Sequence, residues 1–346
     1  MTLRGKKNHL SVLLFLAIFG ALLTIATIYD LEVSRIMTHY SLKKGEYYTH
    51  NVFANFFEAV GMLPCYLLRA FATISVGWLF YKSLPQKALR VIALIVAACV
   101  ATHLLSGAFR DMIFYPMRHM IAEDPDGAIS AISALTPTVY LISYVLSAAV
   151  IGVSLLLTRK VSLDVWRRLS FFALGFFLVD LLSNTVVSGL KTYVDRVRFR
   201  SMNSVYGQAL GGFDLHTRWY QVTDHADLLR ATPLINYTDA FRSFPSGHTE
   251  SAALSYSLIL LIDCLHIEKK SVKVALWTAP ILWTGLTAMG RIVAGAHFMS
   301  DVLFGGTIPF VLVILYRELF LRRSEGIKDM YPFLFRRKKG KVVAIS

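Results

Sequence analysis

Long apolar runs recur along the chain and constrain its fold more than any other feature of the sequence. Most of them approach or exceed the roughly 20 residues that a helix needs to cross the hydrocarbon core of a bilayer. Only 17% of the residues are charged, whereas 55% are hydrophobic. We therefore predict an all-α, polytopic membrane helix bundle with about eight transmembrane helices. The apolar runs are Leu10–Ile28, Met62–Tyr81, Val91–Phe109, Pro137–Leu157, Leu169–Leu190, Ser251–Ile262, Val274–Met289 and Phe298–Tyr316.

The first run follows three basic residues, Arg4, Lys6 and Lys7, as the apolar part of a signal peptide would. The run is long for a signal peptide, and no small-x-small cleavage pattern follows it, so we predict an uncleaved first span. The three cysteines, Cys65, Cys99 and Cys264, all fall inside or beside apolar runs and are interpreted as small core residues rather than as a disulfide or metal framework.

The distribution of basic residues predicts the orientation. Most of the 36 lysine and arginine residues fall on one side of the predicted spans, and cytoplasmic segments carry such an excess. Both termini are then cytoplasmic, in a membrane that we expect to be a bacterial cell membrane. The formal charge of +14 is explained by this asymmetry and does not indicate nucleic-acid binding.

Ionisable side chains stand at the start of the last apolar run, where charged groups are expensive and are functional candidates by default. They are Arg291, His297 and Asp301. His297 and Asp301 share a helical face, so the carboxylate can fix the tautomer of the histidine and stabilise its cation. The planar guanidinium of Arg291 suits phosphate, and Gly295 allows the backbone to bend between them.

Two further stretches carry groups of the same kind on the same predicted outer face. Phe244–His248 places proline and serine before an apolar run, which is typical of a helix start, and helix starts attract anions. Lys191 and Arg198 follow the fifth apolar run, with Arg196 and Arg200 beside them. Alone, each residue has an ordinary explanation in packing or lipid anchoring. Together they indicate phosphoryl transfer through a histidine nucleophile.

These stretches resemble the three motifs of the type 2 phosphatidic acid phosphatase (PAP2) superfamily. The family patterns are K-x-x-x-x-x-x-R-P, P-S-G-H and S-R-x-x-x-x-x-H-x-x-x-D, and their spacing and order are matched here. The matching residues are Lys191 to Arg198, Pro245 to His248, and Arg291 with His297 and Asp301.

Two positions depart from the family patterns, because Phe199 replaces a proline and Gly290 replaces a serine. The resemblance covers the C-terminal half of the chain. It implies a catalytic membrane domain over residues 169–320 with an outer loop at 201–244. Residues 1–168 are then N-terminal spans of unassigned role, and residues 321–346 form a basic cytoplasmic tail.

The resemblance also implies a role for each motif residue. His297 would attack phosphorus and become a phosphohistidine, while Asp301 supports its ring. His248 would protonate the departing oxygen and then activate water. No metal or other cofactor is implied, because fixed cations neutralise the phosphate charge. The phosphate-binding groups would be Lys191, Arg198, Ser246, Gly247 and Arg291.

The expected substrate is a lipid phosphate or diphosphate whose chain stays in the membrane. We favour a polyprenyl diphosphate such as undecaprenyl diphosphate, with phosphatidic acid and phosphatidylglycerophosphate as alternatives. Two other functions stay open, namely transfer of the phosphate to another lipid, and anion binding without turnover in a transporter or scaffold. Membrane lipids are the expected partners, and the sequence indicates no oligomeric state.

The long outer segment 201–244 is interpreted either as a cover over the site or as a belt of residues at the membrane interface. Four of its residues, His216, Asp224, His225 and Asp227, fit no standard spacing of metal ligands, so we predict no metal site there. Its aromatic residues are Tyr206, Phe213, Trp219, Tyr220, Tyr237 and Phe241.

Two charged residues lie deep in predicted spans outside the motifs. Asp180 lies on one helical face with Lys191, and Arg69 lies at a similar depth in the second span. Because such residues usually pair inside a bundle, we predict an ion pair between Arg69 and Asp180. Glu58 is the alternative partner of Arg69.

Overall fold

The structure, a computed structural model, describes residues 3–120, 125–222 and 240–330. Within these ranges the chain is folded almost entirely into helices, with no named β-strand, so the predicted all-α membrane bundle is confirmed. The α-helices are α1 (Leu3–Thr38), α2 (Val52–Val60), α3 (Leu63–Ser83), α4 (Lys87–Met120), α5 (Pro125–Thr158), α6 (Leu163–Val194), α7 (Phe199–Asn203), α8 (Val205–Ala209), α9 (Gly247–Ala253), α10 (Leu260–Cys264), α11 (Lys270–Val293), α12 (Met299–Tyr316) and α13 (Glu325–Met330).

Seven helices in the described residues are long and apolar enough to cross a membrane, one fewer than the sequence analysis predicts. The difference lies in the run Ser251–Ile262. It is helical, because α9, a 3₁₀-helix at Leu254–Ile259 and α10 follow one another, but it carries buried polar residues such as Ser255 and Ser257. Protein rather than lipid surrounds this segment, so it does not need the apolar surface of an outer span. From Gly247 to Cys264 it still extends over about 27 Å at the helical rise.

Helix α6 joins the two parts of the bundle. It packs against α3 on one side, and against α10 and α12 on the other. Buried aromatic residues fill both contacts, with Trp166 stacked on Trp78 in the first, and Phe172 and Phe176 beside Leu254 in the second. Two further contacts, α1 against α12 and α2 against α11, bring the N-terminal helices up to the motif-bearing helices.

The predicted ion pair between Arg69 and Asp180 is confirmed. Nε of Arg69 donates to one carboxylate oxygen at 2.8 Å, and Nη2 donates to the other at 2.7 Å. This two-point contact links α3 to α6, and hence the N-terminal spans to the C-terminal half. Glu58, the alternative partner, lies elsewhere and contacts two other arginines.

Removing either member of this pair is expected to destabilise the bundle, because the other charge is left without its partner. Arg69→Ala and Asp180→Ala should each lower the free energy of unfolding by roughly 3–5 kcal/mol, and the charge-swapped variant Arg69→Asp/Asp180→Arg should recover part of the loss. The melting temperature of the purified protein in detergent measures this. The matched control is Asp164→Ala at the exposed Asp164–Arg168 pair, which should change the free energy of unfolding by about 1 kcal/mol or less. Single variants that melt like the parent would contradict the prediction.

Candidate active site

The three motif stretches meet at one cavity of about 130 Å³. Four cationic side chains, one carboxylate and both motif histidines line it. Six of the eight predicted site residues are among the lining residues, whereas Ser246 and Asp301 do not line the cavity. The lining residues are Glu58, Tyr115, Lys191, Arg198, Arg200, Gly247, His248, Arg291 and His297.

His297 lies in the short turn between α11 and α12. Helix α11 ends at Val293, and Gly295 adopts a φ of 62°, a left-handed conformation that glycine reaches without strain. The ring of His297 is buried, and its Nδ1 lies 2.7 Å from the main-chain carbonyl of Ser243. Its Nε2 lies 3.0 Å from Nη1 of Arg198, which can only donate. These two contacts assign the proton to Nδ1 and make Nε2 the acceptor for Arg198, which lines the same cavity.

The protonation state of His297 follows from its surroundings. Burial, and then the neighbouring Arg198 guanidinium, hold the pKa of His297 well below its usual range. The ring is therefore neutral at neutral pH, as a nucleophile must be.

Asp301 lies differently from the expectation. Its Oδ2 is 3.7 Å from Nδ1 of His297, too far for a hydrogen bond, so the Ser243 carbonyl fixes the tautomer instead. The same oxygen accepts from the Ser243 hydroxyl and from the N–H of Phe298, the N-cap residue of α12. Asp301 therefore fixes Ser243, whose carbonyl faces the His297 ring, and Phe298, which follows His297 in the chain. It also supplies negative charge close to the ring.

His248 stands in the first turn of α9. Its ring lines the cavity and meets the ring of Tyr115 edge to face at 5.2 Å. Within the described residues its Nε2 is buried and has no hydrogen-bond partner. A buried ring nitrogen of this kind is suited to a proton donor or acceptor that finds its partner in the substrate.

Ser246 and Gly247 have separate roles at the start of α9. The Ser246 hydroxyl caps the helix by accepting from the Thr249 N–H, and the side chain is fully buried. The Ser246 N–H donates to the main-chain carbonyl of Asp301 at 2.9 Å. Ser246 is thus not a cavity-lining residue, unlike the expectation, whereas Gly247 reaches the cavity beside the Lys191 side chain.

Lys191 and Arg198 approach the cavity from the end of α6 and the turn that follows. Nζ of Lys191 donates to the carbonyl of Arg242 at 2.9 Å, and Nη1 of Arg198 donates to the carbonyl of Ala296 at 2.9 Å. Main-chain carbonyls thus position both cations in the lining of the cavity.

Glu58, Tyr115 and Arg200 also line the cavity, and the sequence analysis did not assign them to the site. Glu58 stands on α2, whose start is capped by Asn51, and its Oε1 lies 2.9 Å from Nη1 of Arg291. Tyr115 comes from α4. The N-terminal helices therefore complete the wall of the cavity. The sequence offered one sign that Glu58 belongs to the site, namely an acidic residue at the end of a helix near the predicted outer face.

Behind the cavity, Arg196 contacts a second group of buried polar and charged side chains. We call this group the Arg196 cluster, and it consists of Arg196, Asp30, Ser300 and Asp301. Arg196 donates to Asp301 at 2.7 Å and contacts Asp30 of α1 at 3.0 Å, and its guanidinium lies over the Phe298 ring. Asp30 also accepts from the Ser300 N–H at 2.9 Å. Helix α1 departs from helical geometry at Tyr29, directly before this carboxylate.

The described part of the 201–244 loop packs onto this cluster. The carbonyl of Thr217 accepts from Arg196 at 2.8 Å, and His216 lies against Phe298. Burial, and then Arg196, lower the pKa of His216 to about 4, so this histidine is neutral at neutral pH. Tyr237, Asp224, His225 and Asp227 lie outside the described residues.

Packing explains both departures from the family patterns. Phe199 is buried between Phe213 and Phe298, where an aromatic ring fills the space beside the turn at Gly295. Gly290 faces α2, and a Cβ there would lie 2.8 Å from the Cβ of Phe57. A serine at this position would push α2, and with it Glu58, away from the site.

Residues 172–325 match the model of the PAP2 superfamily. Comparison with curated proteins and comparison with solved structures each return no match. The matched range contains all three motifs, whereas Asp30, Glu58 and Tyr115 lie outside it. Residues 172–325 are therefore a domain of the PAP2 superfamily, a family of the phosphatase and phosphotransferase type.

Proposed function

We propose that the protein is a membrane lipid phosphatase that hydrolyses a lipid phosphate or diphosphate through a phosphohistidine on His297. The observation that carries the proposal is the position of the His297 Nε2. Its lone pair lies 3.0 Å from a phosphate-binding guanidinium, in a cavity that also holds His248. Such an arrangement supports attack on a phosphoryl group that Arg198 holds in place.

In the first step, Nε2 of His297 attacks phosphorus and a bond between phosphorus and nitrogen forms. The bond from phosphorus to the leaving oxygen breaks, and its electron pair stays on that oxygen, which takes a proton from the imidazolium form of His248 and leaves that ring neutral. Lys191, Arg198 and Arg291 bind the oxygens of the transferring group. Asp301 and the Ser243 carbonyl stabilise the positive charge that develops on the ring.

In the second step, His248 removes a proton from a water molecule, which attacks phosphorus and displaces His297. The products are the dephosphorylated lipid and inorganic phosphate. The cationic side chains take the place that a divalent metal occupies in many phosphoryl-transfer enzymes, so the reaction needs no added metal.

The substrate we favour is a polyprenyl diphosphate such as undecaprenyl diphosphate, acted on at the outer face of a bacterial cell membrane. The distribution of lysine and arginine supports this orientation, with both termini in the cytoplasm. Phosphatidic acid and phosphatidylglycerophosphate are the alternatives.

The test is release of inorganic phosphate by the purified full-length protein in detergent, from a panel of polyprenyl and glycerol lipid phosphates. We expect release from at least one of them, unaffected by EDTA and inhibited by vanadate, which mimics a phosphoryl group in transfer. Loss of activity in EDTA that one divalent ion restores would contradict the metal-free mechanism. Formation of a new phosphorylated lipid would indicate transfer, and anion binding without turnover on any substrate would indicate a transporter or scaffold.

A further inference from the structure

Asp30 on α1 is a buried carboxylate that lies outside the cavity and outside residues 172–325, and the proposed mechanism gives it no role. One of its oxygens accepts from the Ser300 N–H at 2.9 Å. The other accepts from the Ser300 hydroxyl and from Nη2 of Arg196, the latter at 3.0 Å. Asp30 therefore joins the first helix to the start of α12, just after the turn that carries His297.

The guanidinium of Arg196 is fixed between Asp30 and Asp301. Arginine has five N–H donors in a planar fork, and each of those of Arg196 lies against an acceptor in the described residues. It therefore has no donor left to turn toward the cavity. The acceptors are the Thr217 carbonyl at 2.8 Å, the Ser300 hydroxyl at 2.8 Å, Asp301 at 2.7 Å, Asp30 at 3.0 Å and Nε2 of His216 at 3.2 Å.

The contacts of the two carboxylates indicate their charge. Asp30 accepts from a guanidinium N–H, a hydroxyl and a main-chain N–H, and Asp301 accepts from one group of each of these kinds as well. An ionised carboxylate is an acceptor only, so these contacts fit two ionised groups. The Arg196 cluster then holds one positive and two negative charges, which leaves a net charge of −1.

This net charge lies behind the nucleophile. Asp301 is the member of the cluster that faces His297, with its Oδ2 3.7 Å from Nδ1 of the ring. In the proposed mechanism the ring becomes positive when its Nε2 bonds to phosphorus. Arg196 and Asp301 alone would form a neutral pair, which attracts a nearby cation weakly. Because Asp30 offsets the charge of Arg196, a net negative charge remains to stabilise the ring, and water screens it little in this buried place.

Asp30 also has an ordinary structural role, since it holds the start of α12 through Ser300. The two roles have different consequences. Loss of a structural contact would disturb the whole cavity and weaken every anion that binds there. Loss of the charge would weaken only a bound group that makes the His297 ring positive.

We propose that Asp30 is a positioning residue for phosphoryl transfer, acting through Arg196 and Asp301 to stabilise the positive charge on the phosphorylated His297 ring. The inference rests on the proposed phosphatase function. No bond to Asp30 forms or breaks, and its carboxylate keeps its charge throughout the reaction. A part of the catalytic machinery would then lie on the first helix, outside the residues that match the PAP2 superfamily.

The experiment compares vanadate with orthophosphate as ligands of the purified full-length protein in detergent, by titration calorimetry. Vanadate mimics the transferring group and bonds to the nucleophilic nitrogen, which makes the ring positive, whereas orthophosphate binds without such a bond. We expect Asp30→Asn to weaken vanadate roughly 5- to 20-fold, the effect of one unit charge a few side chains away in a protein interior. Orthophosphate should weaken less than about twofold, and phosphoprotein formation from a lipid substrate should slow in step with the loss of vanadate affinity.

Two further variants separate charge from packing. Glu32→Gln is the matched control, because it removes an exposed carboxylate from the same helix and should leave both affinities unchanged. Arg196→Met/Asp30→Asn removes one charge of each sign, so that Asp301 alone again supplies −1. This double variant should regain part of the vanadate affinity lost in Asp30→Asn. It should also prefer vanadate to orthophosphate if the single variant does not fold.

Three results would overturn the role of Asp30 while leaving the phosphatase function in place. They are unchanged vanadate binding in Asp30→Asn, an equal loss of both anions, and a double variant with no more preference for vanadate than the single one. A parent protein that binds vanadate no more tightly than orthophosphate and releases phosphate from no lipid would instead count against the proposed function. The positive ring that Asp30 is inferred to stabilise would then be absent as well.

Discussion

Replacing His297 with alanine is expected to abolish phosphate release, because in the described lining of the cavity it is the nitrogen of His297 that lies against the Arg198 guanidinium. His248→Ala should behave differently. It should slow release by roughly 10²–10⁴-fold, the usual contribution of a general acid and base, and should leave a phosphorylated protein that clears slowly. Intact mass and acid-labile phosphate on the protein after brief incubation with substrate measure this species.

Comparison of the two variants distinguishes the proposed nucleophile, His297, from the proposed proton donor, His248. No phosphoprotein should form in His297→Ala, whereas the His248→Ala protein should accumulate it. His103→Ala is the control, since His103 is exposed on α4, bonds to Tyr144 and lies away from the cavity. Ordinary phosphate release by the His297→Ala protein would contradict the mechanism.

Replacing Arg196 with methionine is expected to produce the largest loss of stability of any substitution considered. Arg196 has no exposed surface, and its carboxylate partners Asp30 and Asp301 are 4% and 0% exposed. Removing the cation leaves two carboxylates buried near each other, which should lower the free energy of unfolding by roughly 3–5 kcal/mol or more. The corresponding fall in melting temperature in detergent should be roughly 5 °C or greater.

A second variant shows whether the stranded charge is the cause. Arg196→Met/Asp30→Asn removes one of the two carboxylates and should be more stable than Arg196→Met alone. Arg168→Met is the control, because Arg168 forms an exposed pair with Asp164 and its replacement should change the melting temperature little. A double variant no more stable than the single one would show that lost packing, rather than charge, explains the effect.

The sequence predicted those parts of the site that depend on local spacing. The motif residues could be found because their order and intervals are visible along the chain, and the ion pair of Arg69 and Asp180 could be found because isolated charges in apolar spans need partners. Seven helices rather than eight meet the length and apolarity of a membrane span in the described residues, because other helices shield Ser251–Ile262.

The remaining features depend on contacts that no local pattern encodes. Asp30 meets Arg196 across 166 residues of chain, and Glu58 reaches Arg291 only because Gly290 lets α2 approach. The acceptor for Nδ1 of His297 is the main-chain carbonyl of Ser243, and every residue has such a carbonyl, so the side-chain sequence carries no sign of it.

The Arg196 cluster also has a consequence for how the protein is made. Asp30 enters the membrane with the first helix, whereas Arg196 and Ser300 follow much later in synthesis. Until then its carboxylate has no partner and favours water over the bilayer interior. Helix α1 therefore reaches its final position only after Arg196 and Ser300 have been made, so the site closes late in synthesis. A ribosome-bound chain that stops before Arg196 should leave a cysteine introduced at the buried Ser34, one turn from the intact Asp30, open to aqueous labelling, and the full chain should protect it.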